Sequence, residues 1–312
     1  MMKWLCGASI LALTLGWAGT ATIPAATITP DESILKYFPP ETKGVAFIDV
    51  VSLRSAALVQ SALAKGWLQS LPSGVNDFME STGFDVRRDL DRVTIGTISE
   101  RDRLIVAEAH YDRFKAEYYA KDRGAEPETY LGREIYRKGD GALTFLDDVI
   151  LVGTYRSVKQ GLDRVTYPGG PQIGSDLLDA IRTIEAGNQI WAVGKSMEIN
   201  LPAGVVSQMP AAKILQSLQR GTYQMRIDRD IHARILADFS DANTASNLAD
   251  MARGLIAVAK LQVAKQQPDL LHVLDGIQIS SSGPTVTAQI EEQGDLLMNI
   301  KRGLKPATTK SQ

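Results

Sequence analysis

Short apolar runs, each answered by another across a brief polar turn, constrain this chain more than any other feature. In ALTFLDDVILV, residues 142–152, two such runs flank Asp147 and Asp148. VTIGTI and RLIVAEAHY flank SERD at 99–102, GTYQMRI and IHARILADF flank Asp228-Arg229-Asp230, and IQISSSG runs into TVTAQIEE. Strands joined this closely pair antiparallel, because a parallel pair needs a crossover of a dozen residues or more. The aspartates suit the turns, since their side chains bond nearby backbone N–H groups and tolerate left-handed backbone.

Helical segments separate the hairpins. Ser52–Gln69, Asp112–Lys121 and Val158–Arg164 read as helices in the first half. Asp176–Glu185, Ala211–Gln219, Asn243–Gln267 and Leu296–Arg302 follow in the second. The stripe Leu248, Met251, Leu255 and Val258 has helical spacing. Gly44–Val51 and Gln189–Lys195 are the first strands of the two halves. VTYPGGPQIGSD at 165–176, dense in Gly and Pro, divides them. The expected fold is α+β: two similar units of antiparallel sheet with helices packed on one face. The units span 27–167 and 168–304, with a disordered tail at 305–312. The order of elements supports the repeat; residue identity does not.

Residues 1–26 read as an export signal. Lys3 precedes an uncharged, mostly apolar run from Trp4 to Ala18, and Gly19-Thr20-Ala21 and Ala26 offer small-residue cleavage sites. An uncleaved anchor is the rival, since the uncharged stretch to Pro30 is long enough to span a bilayer. Gly, Thr and Pro crowd its end and favour cleavage, which leaves no stable membrane span. Only Lys3 is lost with the signal, so the formal charge of −2 becomes −3. That balance gives no basic surplus for nucleic acid. The one cysteine, Cys6, lies inside the signal, which excludes disulfides, thiol nucleophiles and cysteine metal sites from the exported chain. A cysteine-free exported chain without glycosylation sequons fits a bacterial periplasm or secretion from a bacterium.

Motifs for chemistry are missing. Gly169 and Gly174 have Walker-like spacing, but Ser175 stands where lysine is needed. Gly194-Lys195-Ser196 has the right ending, but Gln189 stands where the first glycine belongs. The weak catalytic candidates are Glu108, His110 and Asp112, which alternate onto one face of a continuous strand and could set up a general base or hold a metal. The plainer reading is the polar side of a half-buried strand, with Ile105, Ala107, Ala109 and Tyr111 opposite. His232 and His272 are scattered, so no metal or cofactor is expected. Thr154 and Asp112 are placed to cap helices.

Several segments together resemble a loose class of uncharacterised exported bacterial envelope proteins, a domain of unknown function. They are Phe38-Pro39-Pro40 before VAFIDV, STGFDVRRDLDRVTIG, GREIYR and ALTFLDDVILVGTYRSVKQGLDR. In the second half they are ADFSDANTASNLADMARGLIAV and GIQISSSGPTVTAQIEE. The resemblance rests on apolar and turn positions and transfers no catalytic residue. It implies a non-catalytic module that binds an envelope protein or polymer. Such a module would expose an apolar patch or an open sheet face. The alternative is a carrier of a lipid or small apolar ligand, with a cavity between the helix of Asn243–Gln267 and its sheet. A hydrolase would require Glu108 and His110 to converge with another polar group such as Asp49.

Overall fold

The hairpins assemble edge to edge into one open sheet. A computed structural model gives the fold and describes residues 32–65, 73–170, 172–195, 217–263 and 268–294. The chain is α+β. After a 3-10 turn at Glu32–Tyr37 come β1 (Gly44–Asp49), α1 (Val50–Ser55), α2 (Ala57–Ala64) and α3 (Ser73–Thr82). Next are β2 (Leu90–Thr97), β3 (Arg103–Ala109), α4 (Arg113–Asp122), β4 (Glu126–Tyr130) and β5 (Arg133–Lys138). The first half closes with β6 (Gly141–Phe145), β7 (Val149–Thr154) and α5 (Tyr155–Thr166). The second half has α6 (Ser175–Arg182), β8 (Ile190–Gly194), β9 (Arg220–Ile227) and β10 (Asp230–Asp238). It continues through α7 (Ala242–Val263), α8 (Pro268–Gly276), β11 (Gln278–Ser282) and β12 (Thr285–Gln293).

All described strand pairs are antiparallel, in the order β11-β12-β10-β9-β8-β1-β2-β3-β7-β6-β5-β4. The strands of both halves thus share one sheet, joined where β1 pairs with β8 from Gly44↔Gly194 to Ile48↔Ile190. Read outward from that seam, the two sides match: β1-β2-β3-β7-β6 on one, β8-β9-β10-β12-β11 on the other, with β5 and β4 added beyond β6. At the seam a Cβ on Gly194 would stand 2.8 Å from the Cα of Gly44, an approach only glycine allows.

Helices lie on both faces rather than one, because the central strands are apolar on both. On the first face Val45, Phe47, Leu104, Val106, Leu151, Trp191 and Val193 form a core with Phe38, just after the 3-10 turn, with Val158 and Leu162 of α5 and with Ile181 of α6. On the second face Ile48, Val93, Ile227 and Ile231 meet Leu53, Leu58 and Val59 of α1 and α2. Ala116 and Ala120 of α4 cover Tyr136 and Phe145 at one end, while Ala245 and Ala249 of α7 cover Val286 at the other. A strand buried on both sides needs cover on both sides.

Several elements depart from expectation. The helix expected over Ser52–Gln69 breaks at Ala56, whose ψ of 132° is extended. EPETY is strand β4 despite Pro127, which sits at the edge of the sheet where a missing N–H costs no ladder bond. PDLLHVLDG, to which no element was assigned from sequence, forms α8. The helix expected at Leu296–Arg302 lies outside the described residues, as do 211–216 of the helix expected at Ala211–Gln219.

Both sheet edges are dressed. β4 carries Pro127 between Glu126 and Glu128. β11 and β12 join through the two-residue turn Gly283-Pro284, with Gly283 at φ +54°. Pairs alternate along such a hairpin, so the Ile279 carbonyl points off the edge. Arg253 of α7 reaches over and donates Nε to it at 3.1 Å.

Candidate functional site

The matched sides of the sheet differ in what their first face carries. In the first half, one transverse row reads Val45, Gly96, Leu104, Gly153 and Ala142. These small and apolar residues form a seat for helices. A Cβ at Gly96 would be 2.3 Å from the Phe38 ring, and one at Gly153 would be 2.4 Å from the Ser157 hydroxyl of α5. The corresponding row in the second half reads Trp191, Gln224, Arg234, Gln289 and Gln278. The neighbouring row changes from Phe47, Thr94, Val106, Leu151 and Thr144 to Val193, Thr222, Leu236, Thr287 and Ser280. A floor that buries leucine and valine under α5 on one side is lined by amides, hydroxyls and guanidinium groups on the other.

Over that polar floor, beside α6, lies a concavity of about 520 Å³, within the size range of small-molecule sites. An ion pair stands on each side of it. Arg234 Nη1 meets Glu185 Oε1 at 2.6 Å. Arg220 Nη2 meets Asp238 Oδ2 at 2.8 Å, and Asp238 Oδ1 accepts from the Thr285 hydroxyl at 2.7 Å. Between them runs the uncharged row of Thr222 and Leu236.

Gln224 is 4 % exposed. Its Oε1 accepts from the Glu185 backbone N–H at 2.8 Å and from Asn188 Nδ2 at 3.2 Å. Those bonds fix the amide so that Nε2 is left without a protein acceptor among the described residues, at the wall of the concavity. Thr222, 6 % exposed, lines the same space. Arg234 Nε is buried and likewise has no partner among the described residues. Arg234 Nε, a buried donor left open, carries a cost, while Gln224 Nε2 belongs to a residue lining the concavity and can meet an acceptor there.

The residues singled out from sequence are held apart. β3 ends at Ala109, so the alternation expected to align Glu108, His110 and Asp112 stops before His110. Glu108 faces Arg92 at 3.5 Å. His110 bonds Asp91 at 3.0 Å, and Asp112 accepts from Lys115 N at 3.1 Å as the cap of α4. Asp49 caps α1, accepting from Ser52 N at 2.9 Å and from its hydroxyl at 2.7 Å. Asp147 and Asp148 are exposed in the β6–β7 turn, closed by Leu146 N on the Val149 carbonyl at 2.8 Å. Thr154 caps α5, accepting from Ser157 N at 3.2 Å. His232 pairs with Glu291 at 3.4 Å. His272 stands 3.7 Å from Glu292, whose carboxyl is raised above its ordinary range by burial. Among the described residues no three His, Cys, Asp or Glu side chains are placed to hold a metal, and no helix is long and apolar enough to cross a membrane.

On the second face, α7 lays Ala245 and Ala249 directly on Phe239 and Val286. Its outer stripe of Leu255, Val258 and Leu261 is 47 %, 53 % and 80 % exposed.

In the sequence Gln224 and Arg234 are only polar positions within the strand segments GTYQMRI and IHARILADF. Their role depends on Glu185 and Asn188, which lie far away in the chain.

Among the described residues, fold and site together define a one-sheet α+β protein with one half covered by helices on its first face and the other half polar and concave there. The structure of TP0453 in crystal form III has a similar fold, with a TM-score of 0.53 at 9% sequence identity over 91% of this chain and 100% of that one. Crystal form I of the same protein aligns at 0.49 and 9% identity, over 86% and 97% of the two chains. No protein-family model and no curated protein matches the sequence.

Proposed function

We propose that this chain is an exported, non-catalytic binding module of the bacterial envelope, and that its partner sits on the polar first face of the second half. The two sides of the sheet are then copies of one α+β unit, released into the periplasm after cleavage of residues 1–26. One copy keeps its first face as core; the other has converted the same face to recognition. The observation that carries this reading is the exchange of Gly96, Leu104 and Gly153 for Gln224, Arg234 and Gln289 at matched positions. Among the described residues no helix but α6 borders this face, and polar side chains in place of a helix seat forgo apolar burial worth about 25 cal/mol per Å². Stability alone does not account for that exchange.

A carrier of an apolar ligand is the second reading, favoured by the exposed Leu255, Val258 and Leu261 of α7. Site-specific photocrosslinking in the native envelope separates the two. A benzophenone side chain at Leu236 or Thr287 is expected to give adducts of discrete mass, and the same group at Val258 none. Adducts from Val258 alone would transfer the binding role to α7.

A further inference from the structure

We infer that the concavity beside α6 binds the acetamido group of an uncharged, N-acetylated glycan chain. This deepens the proposed function by naming the ligand, and it rests on that reading.

Charge comes first. Arg234 and Arg220 each carry a carboxylate partner, Glu185 at 2.6 Å and Asp238 at 2.8 Å. With Asp179 also at the rim, the site has no surplus of positive charge. An anionic ligand would have to break an ion pair to be held, and so would a cation, because Glu185 and Asp238 are engaged by Arg234 and Arg220 and Asp179 by Arg182 at 3.5 Å. The fitting ligand is neutral.

Hydrogen bonding narrows it further. Gln224 Nε2 can only donate, and its orientation is fixed by the two bonds its Oε1 accepts. It needs a carbonyl-type oxygen. Thr222, two residues along β9 on the same face, offers a hydroxyl that can accept an N–H. Across from Thr222 stands Leu236, an apolar side chain on an otherwise polar floor, which suits a methyl group. Carbonyl, N–H and methyl are the three parts of an acetamido group.

The surroundings fit a chain rather than a single sugar. From Leu236 the row continues through Thr287 to Ser280, one hydroxyl per strand at a spacing of ~4.8 Å. Those hydroxyls can exchange hydrogen bonds with ring hydroxyls further along a polymer. With one small apolar contact per site the affinity for a short oligomer is in the millimolar range, and tight retention comes from many contacts along the chain.

The test is titration of the full chain, isotopically labelled, with chitotetraose, followed by amide resonances. Cellotetraose, which has the same length without acetamido groups, is the control. Chitotetraose should shift resonances of β9, β10 and β12, equally at low and high salt, with cellotetraose at least tenfold weaker. Thr222→Val keeps shape and removes the hydroxyl, and should weaken binding severalfold. Gln224→Glu keeps the acceptors for Glu185 N–H and Asn188 but loses the donor, and should weaken it tenfold or more. Unchanged melting temperatures for Thr222→Val show that the loss is not one of folding. Equal binding of both sugars, shifts elsewhere in the protein, or a response only to an anionic oligosaccharide or to a peptide would overturn the assignment. No response to chitotetraose alongside photocrosslinks from Leu236 would remove the glycan and leave the binding face; absence of both would remove the two together.

Discussion

Phe47 and Trp191 stack across the seam between the two halves, ring centroids 5.3 Å apart and planes at 22°. They are directly paired in the β1–β8 register and are almost fully buried. The contact ties the first strand of one half to the first strand of the other, so the halves should unfold together. Trp191→Ala is expected to cost about 3–5 kcal/mol, as large aromatic deletions in cores do. Denaturant titration should show one transition in both proteins. Two separated transitions in the parent chain would show that the seam does not couple the halves.

The glycines separate by what surrounds them. Gly96→Ala places a methyl against the Phe38 ring, and overpacking of this kind costs about 1–3 kcal/mol. Gly254 lies in α7 with nothing within 4 Å of its would-be Cβ. Gly254→Ala should stabilise the chain by up to about 1 kcal/mol, the helix-propensity difference. Thermal melts of both variants check the opposite signs.

Thr154 joins a cap to a tertiary bond. Its hydroxyl accepts from Ser157 N–H and donates to Asp102 Oδ1 at 2.9 Å. Thr154→Ala should lose about 1 kcal/mol, the usual worth of such a cap. Thr154→Ser should recover most of it in the same denaturation assay.

Glu292 gives the chain a pH dependence. Its side chain is 4 % exposed and burial raises its pKa above the ordinary 4.5, against an opposing pull from His272. A carboxyl raised in the folded state favours folding while protonated, and that contribution is lost as pH rises from the unfolded value through the folded one. Glu292→Gln should therefore melt higher than the parent near neutral pH, with the gap closing towards about pH 4. Melting curves across that window decide it; a gap that widens in acid would reverse the sign.

Glu108→Ala with His110→Ala should leave binding at the polar face unchanged, since their partners, Arg92 and Asp91, lie in β2 and not in the second half. Loss of binding in a folded double variant would tie β3 to the site.

Local chemistry was legible where one short segment contains the whole reason for its shape. Asp147-Asp148 announces a turn, and Thr154 and Asp112 announce helix starts, because turn and cap bonds span only a few residues. β4 was hidden because Pro127 and two glutamates contradict strand propensity, and only its edge position makes them tolerable. The helix at Ser52 concealed a break because Ala56 has no sequence signature of an extended residue. The concavity was illegible for a different reason. Gln224 acquires meaning from Glu185, 39 positions away, and from the register that sets it beside Arg234. Which strands become neighbours is decided by the whole sheet closing around the β1–β8 seam, and no window of sequence contains that.

The stops at the two ends of the sheet bear on how the protein survives where it works. The twelve described strands make a long template, and at high concentration an open end invites another molecule to continue it. Pro127 withholds a donor at one end, and the Arg253 guanidinium occupies an outward carbonyl at the other. Growth into fibrils is discouraged at each terminus by a single side chain, so the chain can be crowded without its neighbours becoming its thirteenth strand.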